Sequence, residues 1–241
     1  IKMNSLKNKV VWVTGAGRGI GKAIAEAFGR ENAVLALSSR NAEEIKLVSK
    51  SLTKKESRAY SFQCDVSSET EVKNTVGKIE KTLGNINILI NNAGVSKFVS
   101  LIETSIEDWD WMLNINLKGA FLCTKRVLPC MIEQKEGHIV NIVSVAGIQP
   151  FHSSSAYCAS KYGMMGLTAV TREEVRKYNI IVTAILPGAV DTPIWNNIEG
   201  DFDRSKMMPP EDIAQTVIFA CKQSEKTLIE DIIVRPVAGN L

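Results

Sequence analysis

Histidine is nearly missing from this chain: His138 and His152 are the only two among 241 residues. Neither has a second metal ligand near it in sequence, so no catalytic metal is expected. The five cysteines (Cys64, Cys123, Cys130, Cys158, Cys221) form no C-x-x-C pair and read as reduced thiols of a cytoplasmic protein. Cys158 has no histidine or second cysteine beside it that would make it a nucleophile. A strong charge of one sign is lacking too. The 29 Lys and Arg against 26 Asp and Glu leave a net +3, too small to argue for nucleic acid or an anionic membrane as partner. No apolar run approaches the ~20 residues of a membrane helix, and no signal peptide is read ahead of the first strand. Met3 is taken as the natural start, after Ile1 and Lys2. No Pro/Gly/Ser linker, internal repeat or low-complexity stretch divides the chain, so residues 1–241 are expected to form a single domain.

What is present is an alternation of short apolar runs with amphipathic stretches. Strands are expected at Val10–Thr14, Val34–Leu37, Ala59–Gln63, Asn87–Ile90, His138–Val143, Ile180–Leu186 and Ile229–Val234. Helices are expected at Ile20–Arg30, Ala42–Leu52, Thr70–Leu83, Ile106–Met131 (bent or interrupted near Gly119), Ser154–Lys177, and from Pro209-Pro210 onward. Strands separated by helices imply right-handed crossovers. The expected fold is α/β, a Rossmann-type doubly wound, seven-stranded parallel sheet with helices on both faces.

The first strand runs into Thr14-Gly15-Ala16-Gly17-Arg18-Gly19-Ile20-Gly21. Glycines at a strand–helix turn let the backbone approach a pyrophosphate at the helix N-terminus. The G-x-G-x-x-G frame fails here, since from Gly15 or Gly17 its last position falls on Ile20 or Lys22. A triphosphate loop fails too, at Ala16 and Ala23. The spacing is G-x-x-x-G-x-G, carried by Gly15, Gly19 and Gly21. An acidic residue closing the second strand would bond ribose hydroxyls and favour NAD, but the chain has Ser38-Ser39-Arg40 there, with Arg18 inside the turn. Two guanidiniums and a hydroxyl suit a 2′-phosphate, at about 1.5–3 kcal/mol per charge-assisted contact. NADP(H) is the expected cofactor. Glu43 and Glu44 read as solvated first-turn residues of the next helix.

Tyr157 and Lys161 stand four apart in Ser155-Ala-Tyr-Cys-Ala-Ser-Lys161, on one helix face, with Ser144 thirteen residues upstream of the tyrosine. A lysine held close favours phenolate, and lowering a phenol pKa by roughly 2–3 units needs about 3–4 kcal/mol of differential interaction. With a serine hydroxyl to hold a carbonyl oxygen, these are the parts needed to protonate an alkoxide.

Taken in order, Thr14–Gly21, Cys64-Asp65-Val66, Asn91-Asn92-Ala93-Gly94, Asn116 within Asn114-Ile-Asn-Leu-Lys-Gly119, Ser144, Tyr157-x-x-x-Lys161 and Pro187-Gly188 resemble the short-chain dehydrogenases/reductases along essentially the whole chain. The resemblance implies Tyr157 as general acid/base and Lys161 as its tuner and a grip on the nicotinamide ribose. It implies Ser144 on the substrate carbonyl and Asn116, in preference to Asn114, as anchor of a water linking Lys161 to solvent. The cofactor would be met by Gly15, Gly17, Arg18, Gly19, Ile20, Gly21, Ser39, Arg40, Asp65, Val66, Asn92, Gly94, Tyr157, Lys161, Pro187, Gly188, Val190 and Thr192. Asp65 stays open between adenine contact and helix capping, and Asn91 is read as a brace between strands. His138 reads as structural, and His152 lies near the substrate side.

The implied chemistry is hydride transfer between nicotinamide and a small-molecule carbonyl or secondary alcohol, with 3-oxoacyl-carrier-protein reduction of an acyl thioester the best named activity. The alternatives are another ketone, sugar or steroid alcohol, and a non-catalytic NADP-binding sensor. A homodimer or homotetramer is expected, although the end Ile229–Leu241 departs from the family's Asp-Gly-Gly pattern and puts the assembly in question. Ile194 and Trp195, in a short lid segment, either line an apolar pocket or pack the lid, and Lys135, Arg176 and Lys177 form either a patch for an acidic carrier or a solvated charged face.

Overall fold

In the computed structural model, residues 4–197, 203–224 and 226–239 are described. Met3 and residues 198–202 of the lid segment lie outside them. The strands are β1 (Val10–Thr14), β2 (Val34–Ser39), β3 (Arg58–Gln63), β4 (Ile88–Asn91), β5 (Gly137–Ile142), β6 (Ile180–Pro187) and β7 (Asp231–Val234). The helices are α1 (Gly19–Arg30), α2 (Ala42–Thr53), α3 (Glu69–Leu83), α4 (Ile106–Leu113), α5 (Gly119–Gln134), α6 (Ser155–Val175) and α7 (Pro210–Cys221). All seven strands are parallel, in the order β3-β2-β1-β4-β5-β6-β7. This is the expected doubly wound sheet. The winding reverses between β1 and β4, which opens a crevice beyond their carboxyl ends.

Strand alternation divides the core between the two faces. Val11 and Val13 of β1 pack with Ile24 and Phe28 of α1, Ile45 of α2 and Val217 of α7. Val10 and Trp12 turn the other way, against Val76 and Ile79 of α3 and Val127 and Met131 of α5. Each such large side chain, fully buried, contributes about 1.5–3 kcal/mol. Helix starts are set locally. Asn41, Ser68 and Ser105 accept from the backbone N–H groups of Glu44, Glu71 and Asp108, and Pro210 opens α7.

The long helix expected over Ile106–Met131 is broken by a π-turn at Asn114–Lys118, where the Gly119 N–H reaches back to the Asn114 carbonyl. The break coincides with Asn116, whose side chain is drawn off the helix surface to the loop after β4. Single π-turns of this kind are frequent at functional sites. The last strand is shorter than expected because the Ile229 carbonyl accepts from the Thr183 hydroxyl at 2.7 Å instead of joining the ladder. That hydroxyl therefore accepts from His138 Nε2, 2.9 Å away, which sets the imidazole tautomer. Burial pushes His138 down to about 4, so it stays neutral and structural.

β7 is an edge strand, and Arg172 of α6 holds it in place. Its Nε donates to the Val182 carbonyl at 3.0 Å, and its Nη2 donates to the Glu230 carbonyl at 2.7 Å and to Asp231 at 2.8 Å. An Arg172→Met variant keeps most of the side-chain volume but orphans these acceptors, and should lose about 2–3 kcal/mol. Urea denaturation measures this; a change below about 0.5 kcal/mol would show that the clasp is idle.

Candidate active site

Two turns meet at the switch point. Gly15 (φ 63°) lies so close to the turn after β4 that a Cβ there would stand 2.8 Å from Ala93 Cα. The Thr14 hydroxyl accepts from the Asn92 and Ala93 N–H groups, and Asn92 Nδ2 donates to the Thr14 carbonyl at 2.9 Å. Asn92 was expected to border the cofactor; its side chain is committed to bracing the glycine turn. Thr192, after β6, closes on Gly19 from the other side, with its Cγ2 3.2 Å from where a Cβ would be. The turns after β1, β4 and β6 thus share one crevice. The turn after β1 delivers α1, which has no acidic residue in its first turn and so offers an anion a favourable helix end.

At the glycine turn and the end of β2, Arg18 and Arg40 are both exposed. Among the described residues neither guanidinium has an ion-pair partner. Ser39 Oγ accepts from the Asn41 N–H at 3.2 Å, whereas Ser38 is buried and accepts from Trp12 Nε1. Asp65 Oδ1 accepts from both the backbone N–H and the hydroxyl of Ser67, which makes it a turn former. Val66 turns its side chain inward against Gly119.

The chemical end gathers on α6 and the end of β5. Ser144 stands just past β5, its Oγ accepting from the Ala146 N–H at 3.1 Å. Lys161 is 5% exposed and donates to the Ile142 carbonyl at 3.1 Å. Its Nζ is 5.8 Å from the Tyr157 ring centroid, and the Phe98 ring meets Tyr157 edge-on, also at 5.8 Å. Asn116 is 1% exposed, accepts from the Val95 N–H at 2.8 Å, and donates to the Val95 carbonyl and to Ser160 Oγ. A Cβ on Gly94 would lie 3.5 Å from Asn116 Oδ1 and 3.8 Å from Lys161 Nζ, so the loop after β4 runs directly over both. Ser144, Tyr157, Lys161, Asn116 and Gly94 are therefore one cluster.

Burial sets the electrostatics of this cluster. Burial raises the Tyr157 phenol above its ordinary 10, and the neighbouring Ser144 hydroxyl offsets only part of that. Burial lowers Lys161 to about 8. The Lys161 ammonium is directed to the Ile142 carbonyl and is itself made less basic by burial. The phenol, raised in this way, keeps its proton at neutral pH.

Asn91, expected as a brace, donates to Thr124 and to Asn141, and Asn141 donates to Thr168 of α6. This buried chain ties the catalytic helix to β4 and β5. His152 is exposed and bonded to its neighbour Ser153. Trp195 Nε1 donates to the Val190 carbonyl, so its indole is pinned to the loop after β6. Arg176 pairs with Glu173 and Glu230, which partly neutralises the basic patch. The unusual chain end works within the molecule: Arg235 donates to Gln149 at 2.7 Å, and Pro236 packs against Gly188. Phe98, Gln149 and Arg235 were not singled out from sequence. They acquire their places only through long-range contacts that no local pattern announces.

The sequence profile of the family described as short chain dehydrogenase matches residues 9–202, which carry every member of the cluster. The chain belongs to the short-chain dehydrogenase/reductase family. It is an oxidoreductase. Among curated relatives, this short-chain dehydrogenase/reductase is 38% identical over 239 residues to the sepiapterin reductase of Chlorobaculum tepidum, covering 96% of this chain and 98% of that one. It is 35% identical over 235 residues to an uncharacterized oxidoreductase of Staphylococcus aureus, covering 98% and 100%. Among solved structures it is similar to a metagenomic short-chain oxidoreductase in complex with NADP, at 33% identity and TM-score 0.86 over 97% of this chain and 99% of that one. It is also similar to an alcohol dehydrogenase from the archaeon Thermococcus sibiricus complexed with 5-hydroxy-NADP, at 25% identity and TM-score 0.90 over 98% and 99%.

If the buried phenol supplies the proton, Tyr157→Phe should retain cofactor binding and lose at least about a hundredfold in turnover. Steady-state rates beside a cofactor fluorescence titration read both quantities; wild-type turnover in the variant would remove Tyr157 from the chemistry.

Proposed function

We propose that this chain is an NADPH-dependent reductase of a small ketone, with cofactor site and catalytic cluster in one domain. The observation that carries it is the pairing of two uncommitted guanidiniums at one end of the crevice with the Ser144/Tyr157/Lys161 cluster at the other. The residues present fit a dinucleotide: Gly15 and Gly19 keep the turn free of side chains, the α1 N-terminus is free of acid, and Arg18, Arg40 and Ser39 would hold the 2′-phosphate. Asp65, Val66, Gly94, Pro187, Gly188, Val190 and Thr192 would border the remainder. When bound, the nicotinamide supplies the hydride.

The protein does the rest. The Ser144 hydroxyl donates to the ketone oxygen and fixes its position. Tyr157, protonated because it is buried, gives its proton to that oxygen as negative charge develops there. Lys161 contributes a positive charge that favours the resulting phenolate, and Asn116 holds the loop over it and anchors the water through which the proton is replaced.

For the substrate, a ketone carried on a planar ring is the first reading. Phe98 lies edge-on to Tyr157 and gives a flat ring an aromatic wall, and a relative of 38% identity is a sepiapterin reductase. A 3-oxoacyl thioester is the second, and the pairing of Arg176 with two glutamates weakens the case for an acidic carrier protein. All five cysteines are unpaired, which suits a reducing cytoplasm, and no helix among the described residues is long and apolar enough to cross a membrane. Leu113, Leu117, Phe121 and Leu167 line a shallow apolar groove on the outer face of α4–α6, with Ile106 71% and Val170 58% exposed beside it. We read this face as the contact of a homodimer or homotetramer.

NADPH oxidation should proceed with sepiapterin faster than with acetoacetyl thioester, sugars or steroids, and Arg40→Ala should cut the preference for NADPH over NADH about tenfold or more. Turnover of no ketone in the panel, or an unchanged cofactor ratio, overturns the corresponding half of the proposal. Light scattering should give two or four times the chain mass of 26.5 kDa, and a monomer at micromolar concentration would remove the oligomer.

A further inference from the structure

The carboxylate of Glu44 occupies a place that the glycine spacing does not explain. In G-x-x-x-G-x-G, Gly17 stands at a position where any residue serves, and its backbone is not in the left-handed region that favours glycine. Yet a Cβ on Gly17 would come 2.5 Å from Glu44 Oε2, 2.7 Å from Cδ and 2.9 Å from Cγ. The side-chain space of Gly17 is filled by Glu44. Glu43, one residue earlier, is exposed, whereas Glu44 is half-buried, and its N–H is held by the Asn41 cap at 3.1 Å. Among the described residues the Glu44 carboxylate has no ion-pair partner, so neither Arg18 nor Arg40 neutralises it.

The location decides what this acid does. β1 and β2 are neighbours, and the Ala16 N–H donates to the Ser38 carbonyl at 3.0 Å, so the glycine turn, Ser39, Arg40 and the start of α2 gather over the same two strand ends. That is where a dinucleotide places its adenosine ribose. An acid at the end of the second strand normally serves the ribose hydroxyls; here that position is Ser39-Arg40, and a carboxylate reaches the neighbouring glycine turn, against Gly17, from the first turn of α2. We propose that Glu44 is a second cofactor-selecting residue, opposing Arg18 and Arg40 toward a 2′-phosphate and accepting from the ribose hydroxyls of NAD(H), so that the enzyme uses both cofactors. The inference rests on the NADP reading above and adds that its selectivity is deliberately restrained by an acid.

The test is a set of NADPH and NADH dissociation constants for wild type, Glu44→Gln and Arg40→Ala. Glu44→Gln keeps the shape and removes the charge. It should raise the preference for NADPH at least about fivefold, with tighter NADPH and weaker NADH, and the NADPH gain should shrink in high salt. A ratio within twofold of wild type overturns the role of Glu44. An unchanged ratio in Arg40→Ala instead overturns the 2′-phosphate reading itself, so the two failures are distinct. The contact is tested separately by melting temperature. Gly17→Ala should lower it in the wild-type background and much less in Glu44→Ala, and an equal drop in both would show that Gly17 does not exist to admit Glu44.

Discussion

A buried ammonium is the constraint around which this active site is built. Lys161 is 5% exposed, and its own burial brings it down to about 8. Charge in such a place is costly unless polar groups are held around it. The Ile142 carbonyl at the end of β5 provides one partner. Gly94 leaves room for the loop after β4 to pass over it, and Asn116 pins that loop by both the N–H and the carbonyl of Val95. The π-turn that interrupts the α4–α5 stretch is the local deformation that puts Asn116 there.

The same helix is anchored from below. Asn141 joins Thr168 to Asn91, so α6 is tied to β4 and β5 by hydrogen bonds inside the sheet and is not carried by apolar packing alone. Directional bonds fix the rotation of a helix about its axis, which packing of smooth apolar surfaces does less well. Rotation is what decides whether Tyr157 and Lys161 face Ser144 or solvent. Further along, Arg172 on the same helix holds β7, and the segment beyond β7 reaches Gln149 next to the catalytic loop. One helix thus connects the chemistry to the far edge of the sheet.

Much of this was legible in the residues. The strand at Val10–Thr14 is found with the same bounds, and the others shift by one or two residues at their ends, where side-chain contacts such as Thr183 to Ile229 compete with the ladder. Ser144, Tyr157, Lys161, Asn116 and Gly94 converge as the motifs implied. The phenol is different: helical spacing announces that a lysine is near, but says nothing of where the ammonium points or how much water each group loses. The Asn92 side chain braces the glycine turn, and Asp65 Oδ1 accepts from Ser67, because small polar side chains choose among backbone partners that only the folded chain brings close.

Sequence alone determined the order of strands and helices, the glycine turn and which side chains are candidates for the chemistry, since these depend on local periodicity and short spacings. Tertiary structure alone decided the protonation balance of Tyr157 and Lys161, which follows from burial. It also decided the edge-on meeting of Phe98 with Tyr157 and the link from Arg235 to Gln149. Above all it turned Glu44 from a solvated helix residue into an acid lodged against Gly17, because two residues distant in sequence share one volume only after β1 and β2 are side by side.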